Sequence, residues 1–140
     1  EISLKKLVLN DSIINNITDL PIFENGQNLK LTFELKINRP NLNPFFIIVK
    51  IYDQQMREAV NCFSHLTNEL IDPKTEIINV EVVLNSLFLN QGKHFITISA
   101  ESKIDKRIYS HATNALVFNV SDEHCGFATS TFPGQWNISS

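Results

Sequence analysis

At 140 residues, 43% of them hydrophobic, the chain has the size of one domain and enough apolar surface for a real core. Twelve basic residues stand against fifteen acidic ones with no long like-charged run, which excludes an electrostatic reader of nucleic acid or of an anionic membrane and favours a neutral or mixed ligand. Two cysteines far apart, Cys62 and Cys125, exclude a zinc ribbon and a disulfide framework, and free thiols in a reducing compartment are expected.

No apolar stretch approaches the roughly 20 residues that span a bilayer, so no direct membrane insertion is expected. The first residues lack the basic-then-apolar order of a secretory signal, and a chain opening on Glu1 reads as an excised or processed piece.

In chain order, Leu4 to Leu9 reads as a strand, with Ile13-Ile14 as a candidate extension. Leu29, Leu31, Phe33, Leu35 and Ile37 then alternate with Lys30, Thr32, Glu34 and Lys36, the period of a strand with one face in the core. Phe45 to Tyr52 is apolar on both faces apart from Lys50, as in a central strand, and Asp53-Gln54-Gln55 turns it into a partner around Glu58 to Ser64. Phe63, Leu66 and Leu70 recur at helical spacing, which allows a short helix within Ser64 to Asp72.

Ile77 to Leu84 alternates again, Asn85 to Leu89 makes a helical turn or a loop, and Gly92 reverses the chain. Phe95 to Glu101 and Arg107 to His111 form a hairpin around Lys103-Ile104-Asp105-Lys106, and Leu116 to Val120 is one more strand. Beyond it the chain turns polar and irregular, broken by Gly126, Pro133 and Gly134. About eight short strands at intervals of roughly ten residues, with no long helix, predict a single all-β domain over residues 1–140: an antiparallel, immunoglobulin-like β-sandwich.

The residues that catalysis requires are not in a recognisable order. There is no Gly-x-Ser-x-Gly elbow, no His-Glu-x-x-His helix and no phosphate-cradling glycine loop. His65, His94, His111 and His124 fall one per segment, and adjacent His124 and Cys125 point apart on an extended chain. The acidic pairs Asp122-Glu123 and Glu101 with Asp105 read as solvated turn residues. No enzyme activity, cofactor or metal is expected.

Sugar recognition asks instead for apolar ring faces and planar polar groups on a stiff element. Phe46, Ile48, Lys50 and Tyr52 share one register of their strand, and Arg107, Tyr109 and His111 share one of theirs. Lys50, Tyr52, Arg107, Tyr109 and His111 are therefore the candidate carbohydrate contacts if the two strands lie in one sheet. The competing reading makes Phe46 and Ile48 plain core and Tyr109 a cap on a sheet edge. Phe127, Phe132 and the sole tryptophan, Trp136, are expensive to leave in water, so residues 121–140 are expected to dock on the domain itself or on a second copy, with these three at a dimer interface.

Several of these elements recur together in one family. The Phe23-Glu24-Asn25-Gly26 turn before an alternating strand, the Pro44-Phe45 opening and Asp53 turn, Leu89-x-x-Gly92-x-x-Phe95, the strand Ala115 to Val120 and the Gly134-x-Trp136 close resemble the C-terminal domain of the Wzt-type ATP-binding subunits that export bacterial O-antigen polysaccharide. Phe95 stands where that family more often shows Tyr.

The resemblance implies an immunoglobulin-like domain on the cytoplasmic side of the cell membrane that binds the end of a bacterial O-polysaccharide and leaves it chemically unchanged. It also implies a homodimer formed by exchange of C-terminal strands, and ABC transporter nucleotide-binding and transmembrane subunits as partners. Two other readings remain: an immunoglobulin-like adhesion or protein-interaction module, and a glycosidase with two carboxylates in a cleft.

Overall fold

The computed structural model describes residues 1–10, 20–64, 70–120, 130–131 and 134–139. Ten strands run through them: β1 (Ile2–Leu9), β2 (Ile22–Phe23), β3 (Leu29–Ile37), β4 (Phe45–Tyr52), β5 (Glu58–Phe63), β6 (Ile77–Leu84), β7 (Gly92–Ser102), β8 (Ile108–Val120), β9 (Ser130–Thr131) and β10 (Gln135–Ser139). They form a four-stranded sheet in the order β1-β3-β6-β10 and a six-stranded sheet in the order β2-β8-β7-β4-β5-β9. All pairings are antiparallel except β2 with β8 and β5 with β9. The series β1-β3-β6 against β8-β7-β4-β5 is the immunoglobulin order, A-B-E against G-F-C-C′.

The period-2 pattern fixes which side chains meet between the sheets. From the four-stranded sheet come Leu29, Leu31, Phe33 and Leu35 on β3 and Ile78, Val80, Val82 and Leu84 on β6, all buried. Phe45, Ile47, Val49 and Ile51 on β4 answer them from the six-stranded sheet, with Ile96, Ile98 and Ala100 on β7. The edge-on pair Phe23–Phe118, with ring centres 6.1 Å apart, fills the end near β2. Among the described residues no helix is long and apolar enough to cross a membrane.

Ten strands replace the expected eight or so for two reasons. The two-residue β2 and β9 carry too little sequence to show a period, and β10 lies in the segment expected to be irregular. In the opposite sense, the segments Arg107–His111 and Leu116–Val120 belong to one thirteen-residue strand, β8. Opposite β7 that strand carries two extra residues between Ala112 and Leu116 and one more, Tyr109, between Ile108 and Ser110. Asn85 to Leu89 is a turn, with Leu87 bonded to the Gln27 carbonyl and accepting from Gly26. Ile13-Ile14 and most of the short helix expected within Ser64 to Asp72 lie outside the described residues, as do His65, His124 and Cys125.

Candidate functional site

The outer face of the six-stranded sheet is set by the register of β4, β7 and β8. Four cross-strand rows lie on it: Tyr52–Phe95–Val117, Lys50–Thr97, Ile48–Ser99–His111 and Phe46–Glu101–Ile108. Directly opposite side chains in an antiparallel pair stand about 5 Å apart, so each row is a continuous ridge. An aromatic row thus heads the face, and the next two rows are rich in short hydroxyls and amine or imidazole nitrogen, all mounted on hydrogen-bonded strands.

The polar members are held in place. Lys50 Nζ pairs with Glu58 of β5 at 3.2 Å, an ion pair about one-third exposed on either side. Ser99 Oγ and His111 Nδ1 share a 2.8 Å hydrogen bond. Tyr52 is half-buried, and no hydrogen bond among the described residues engages its hydroxyl. At the far end Lys106 Nζ sits 6.0 Å from the centre of the Phe46 ring. Phe46 is only 8% exposed and Thr97 only 6%, so ligand-accessible surface lies around Tyr52, Phe95, Ser99 and His111.

Of the five expected carbohydrate contacts, Lys50, Tyr52 and His111 share this face. Tyr109 does not. It is the bulge residue of β8, 6% exposed, its ring edge-on to inward-facing Phe45 at 6.2 Å and its hydroxyl accepting from the Asn43 backbone N–H at 3.0 Å. Strict alternation placed Arg107, Tyr109 and His111 together, and the extra residue opposite the Ala100–Glu101 step breaks that alternation. Arg107 lies before β8, exposed, and is bound to the Glu1 carboxylate with Arg39 on the same group.

Thr97, Ser99 and Glu58 belong to the face although no expectation named them as contacts, and Phe95, the position where the resembled family more often shows Tyr, joins them. Their signal was the alternation of Phe95 to Glu101, which becomes informative once β7 is known to separate β4 from β8.

The remaining titratable groups serve the frame. Asp53 closes the β4–β5 turn. Burial pushes its carboxyl up, but N–H bonds from Arg57 and Gln55 and the Arg57 guanidinium outweigh that and hold it below the usual carboxylate range. Burial pushes the His94 imidazole down, against the opposing pull of the Gly92 carbonyl and the Asp53 carboxylate; its ring stacks on Phe118. Burial pushes the Cys62 thiol up to about 12, a hydrogen bond with Trp136 opposing it.

Trp136 itself is partly buried against its own core from β10, with Ile138 beside it. The other two residues expected at a dimer interface, Phe127 and Phe132, lie outside the described residues. Among the described residues no group of three or more His, Cys, Asp or Glu is placed to hold a metal ion. No protein-family model and no curated protein matches the chain.

Proposed function

We propose that the domain recognises a bacterial O-polysaccharide without chemistry, through the outer face of the six-stranded sheet. The observation that carries this reading is one sheet face that presents the ridge Tyr52–Phe95 and, beyond the intervening Lys50–Thr97 row, the Ser99–His111 pair: ring faces for sugar C–H surfaces on the same face as hydroxyl and imidazole groups for sugar hydroxyls, on a rigid support. The resemblance to Wzt-type subunits supplies the transport setting: a homodimer acting on the cytoplasmic side with ABC transporter nucleotide-binding and transmembrane subunits. A final strand held at a sheet edge by Trp136 and Ile138 is the element that an exchange between two copies would use.

Calorimetric titration against the host's own O-polysaccharide, intact and with its non-reducing end removed, tests this. Binding of the intact polymer alone identifies terminus reading, and equal binding identifies repeat-unit reading. Absence of binding to either refutes the proposal. A second reading, a protein-interaction module, is favoured by Ile104 and Ile108, 69% and 59% exposed around the β7–β8 hairpin tip. It predicts no sugar affinity and a partner lost on replacing both isoleucines with Ser.

A further inference from the structure

The four-stranded sheet has an outer face of different chemistry, with a groove of about 310 Å³. One wall arises from β1. A register shift between Lys5 and Val8 puts Lys6 at φ 53°, and its Nζ reaches Glu34 at 3.1 Å. The floor is two cross-strand rows, Thr32–Glu81–Asn137 and Glu34–Asn79–Ser139, spanning β3, β6 and β10.

These side chains are short, polar and unspent. Among the described residues, no hydrogen bond or ion pair engages the side chains of Thr32, Asn79, Glu81, Asn137 or Ser139. Two amides, two hydroxyls, a carboxylate already matched by an ammonium and a second, free carboxylate offer donors and acceptors in alternation over three strands, about 10 Å across. A strongly anionic ligand would meet Glu81 and Glu34, and a bare cation would meet Lys6. A neutral polyol meets neither objection, because each hydroxyl both donates and accepts. Apolar Val83 and Ile77 flank the rows at either end and supply surface for sugar C–H groups.

We propose that this groove is a second binding site for a neutral sugar residue, and that it is complete only while β10 is docked on β6. The choice of a sugar rests on the glycan-binding reading above, whereas the groove and its dependence on β10 do not. Because β10 supplies Asn137 and Ser139, a ligand in the groove favours the docked strand by mass action.

The test is NMR of the full chain with the methyl glycosides of glucose, galactose, mannose, rhamnose and N-acetylglucosamine, and with the O-polysaccharide. At least one glycoside should shift the signals of Thr32, Asn79, Glu81 and Asn137. Glu81→Gln and Asn137→Ala should each weaken it about tenfold with the melting temperature unchanged, while Tyr52→Ala leaves it intact. At a free concentration about 100 times Kd, hydrogen exchange of the β10 amides should slow about a hundredfold.

Groove signals that no probe moves, or shifts that survive the Glu81→Gln, Asn137→Ala double variant, overturn the site; unchanged β10 exchange at saturation overturns its dependence on the strand. A polysaccharide that shifts only Tyr52, Ser99 and His111 removes the groove and leaves the main reading standing. A glycoside that shifts the groove while the polysaccharide shifts nothing does the reverse.

Discussion

Replacing Tyr109 and Tyr52 in parallel separates a structural tyrosine from one on the candidate face. Tyr109 is 6% exposed, packs edge-on against Phe45 and caps the Asn43 N–H. Truncation to Ala removes a buried aromatic ring, which costs about 3–5 kcal/mol, about 1 kcal/mol of it from the lost ring pair. Tyr109→Phe keeps the ring and loses only the acceptor. Asn43 is half-buried and regains some solvent contact, so that variant loses about 1 kcal/mol.

Tyr52 is half-buried on the outer face with its hydroxyl unengaged among the described residues, and Tyr52→Ala forfeits about 1 kcal/mol of apolar burial. At about 4 °C per kcal/mol for a domain of this size, the melting temperature drops about 12–20 °C for Tyr109→Ala and about 4 °C for the other two. Urea denaturation with a shared m-value gives the energies, and the glycan titration gives the affinities. The order of effects on binding is the opposite, with Tyr52→Ala the damaging change. A Tyr109→Ala protein within about 1 kcal/mol of the parent, but with weakened glycan binding, would show that the ring faces the ligand and that the β8 bulge is misassigned.

Three further outcomes follow from single residues. His94 is buried with its pKa depressed, so the unfolded chain takes up its proton first: stability is full above about pH 6.5 and falls as pH drops through the folded value. His94→Gln flattens that loss below about pH 6.5 in urea titrations, and an unchanged slope refutes the assignment. With its pKa raised to about 12, the Cys62 thiol stays protonated, so in a Cys125→Ser background it reacts with a disulfide reagent only through local opening; Trp136→Ala accelerates that reaction, and equal rates exclude β10 as its cover. Gly134 has φ 68°, and an added Cβ would stand 3.0 Å from Cys62 Sγ and 3.2 Å from Val82 Cγ2, so Gly134→Ala costs about 2 kcal/mol and speeds β10 exchange; neither change means the turn adapts freely.

The sandwich was legible because its long strands obey one local rule. Leu29 to Ile37, Phe45 to Tyr52 and Ile77 to Leu84 each alternate or run apolar over a full strand length, and the structure sets the sheets at those places. Half of the candidate face was legible for the same reason: Lys50 and Tyr52 follow the unbroken register of β4 from end to end. Strand β8 broke the rule. Its three extra residues are a property of pairing with β7, not of its own composition, so nothing in Arg107 to Val120 taken alone distinguishes inward Tyr109 from outward His111.

The final strand shows how little separates core from site in such a fold. Along β10, Trp136 and Ile138 point to the core while Gln135, Asn137 and Ser139 face outward. Trp136 approaches Cys62, which belongs to the other sheet, so this short element closes the side of the sandwich between β5 and β6 as well as flooring the groove. A slip of one residue against β6 would turn the tryptophan into water and bring the amide and hydroxyl inside, unplugging the core and dismantling the groove at once. The positive φ of Gly134, wedged against Cys62 and Val82 just before the strand, pins its register, so a turn glycine governs both stability and the polar floor some residues away.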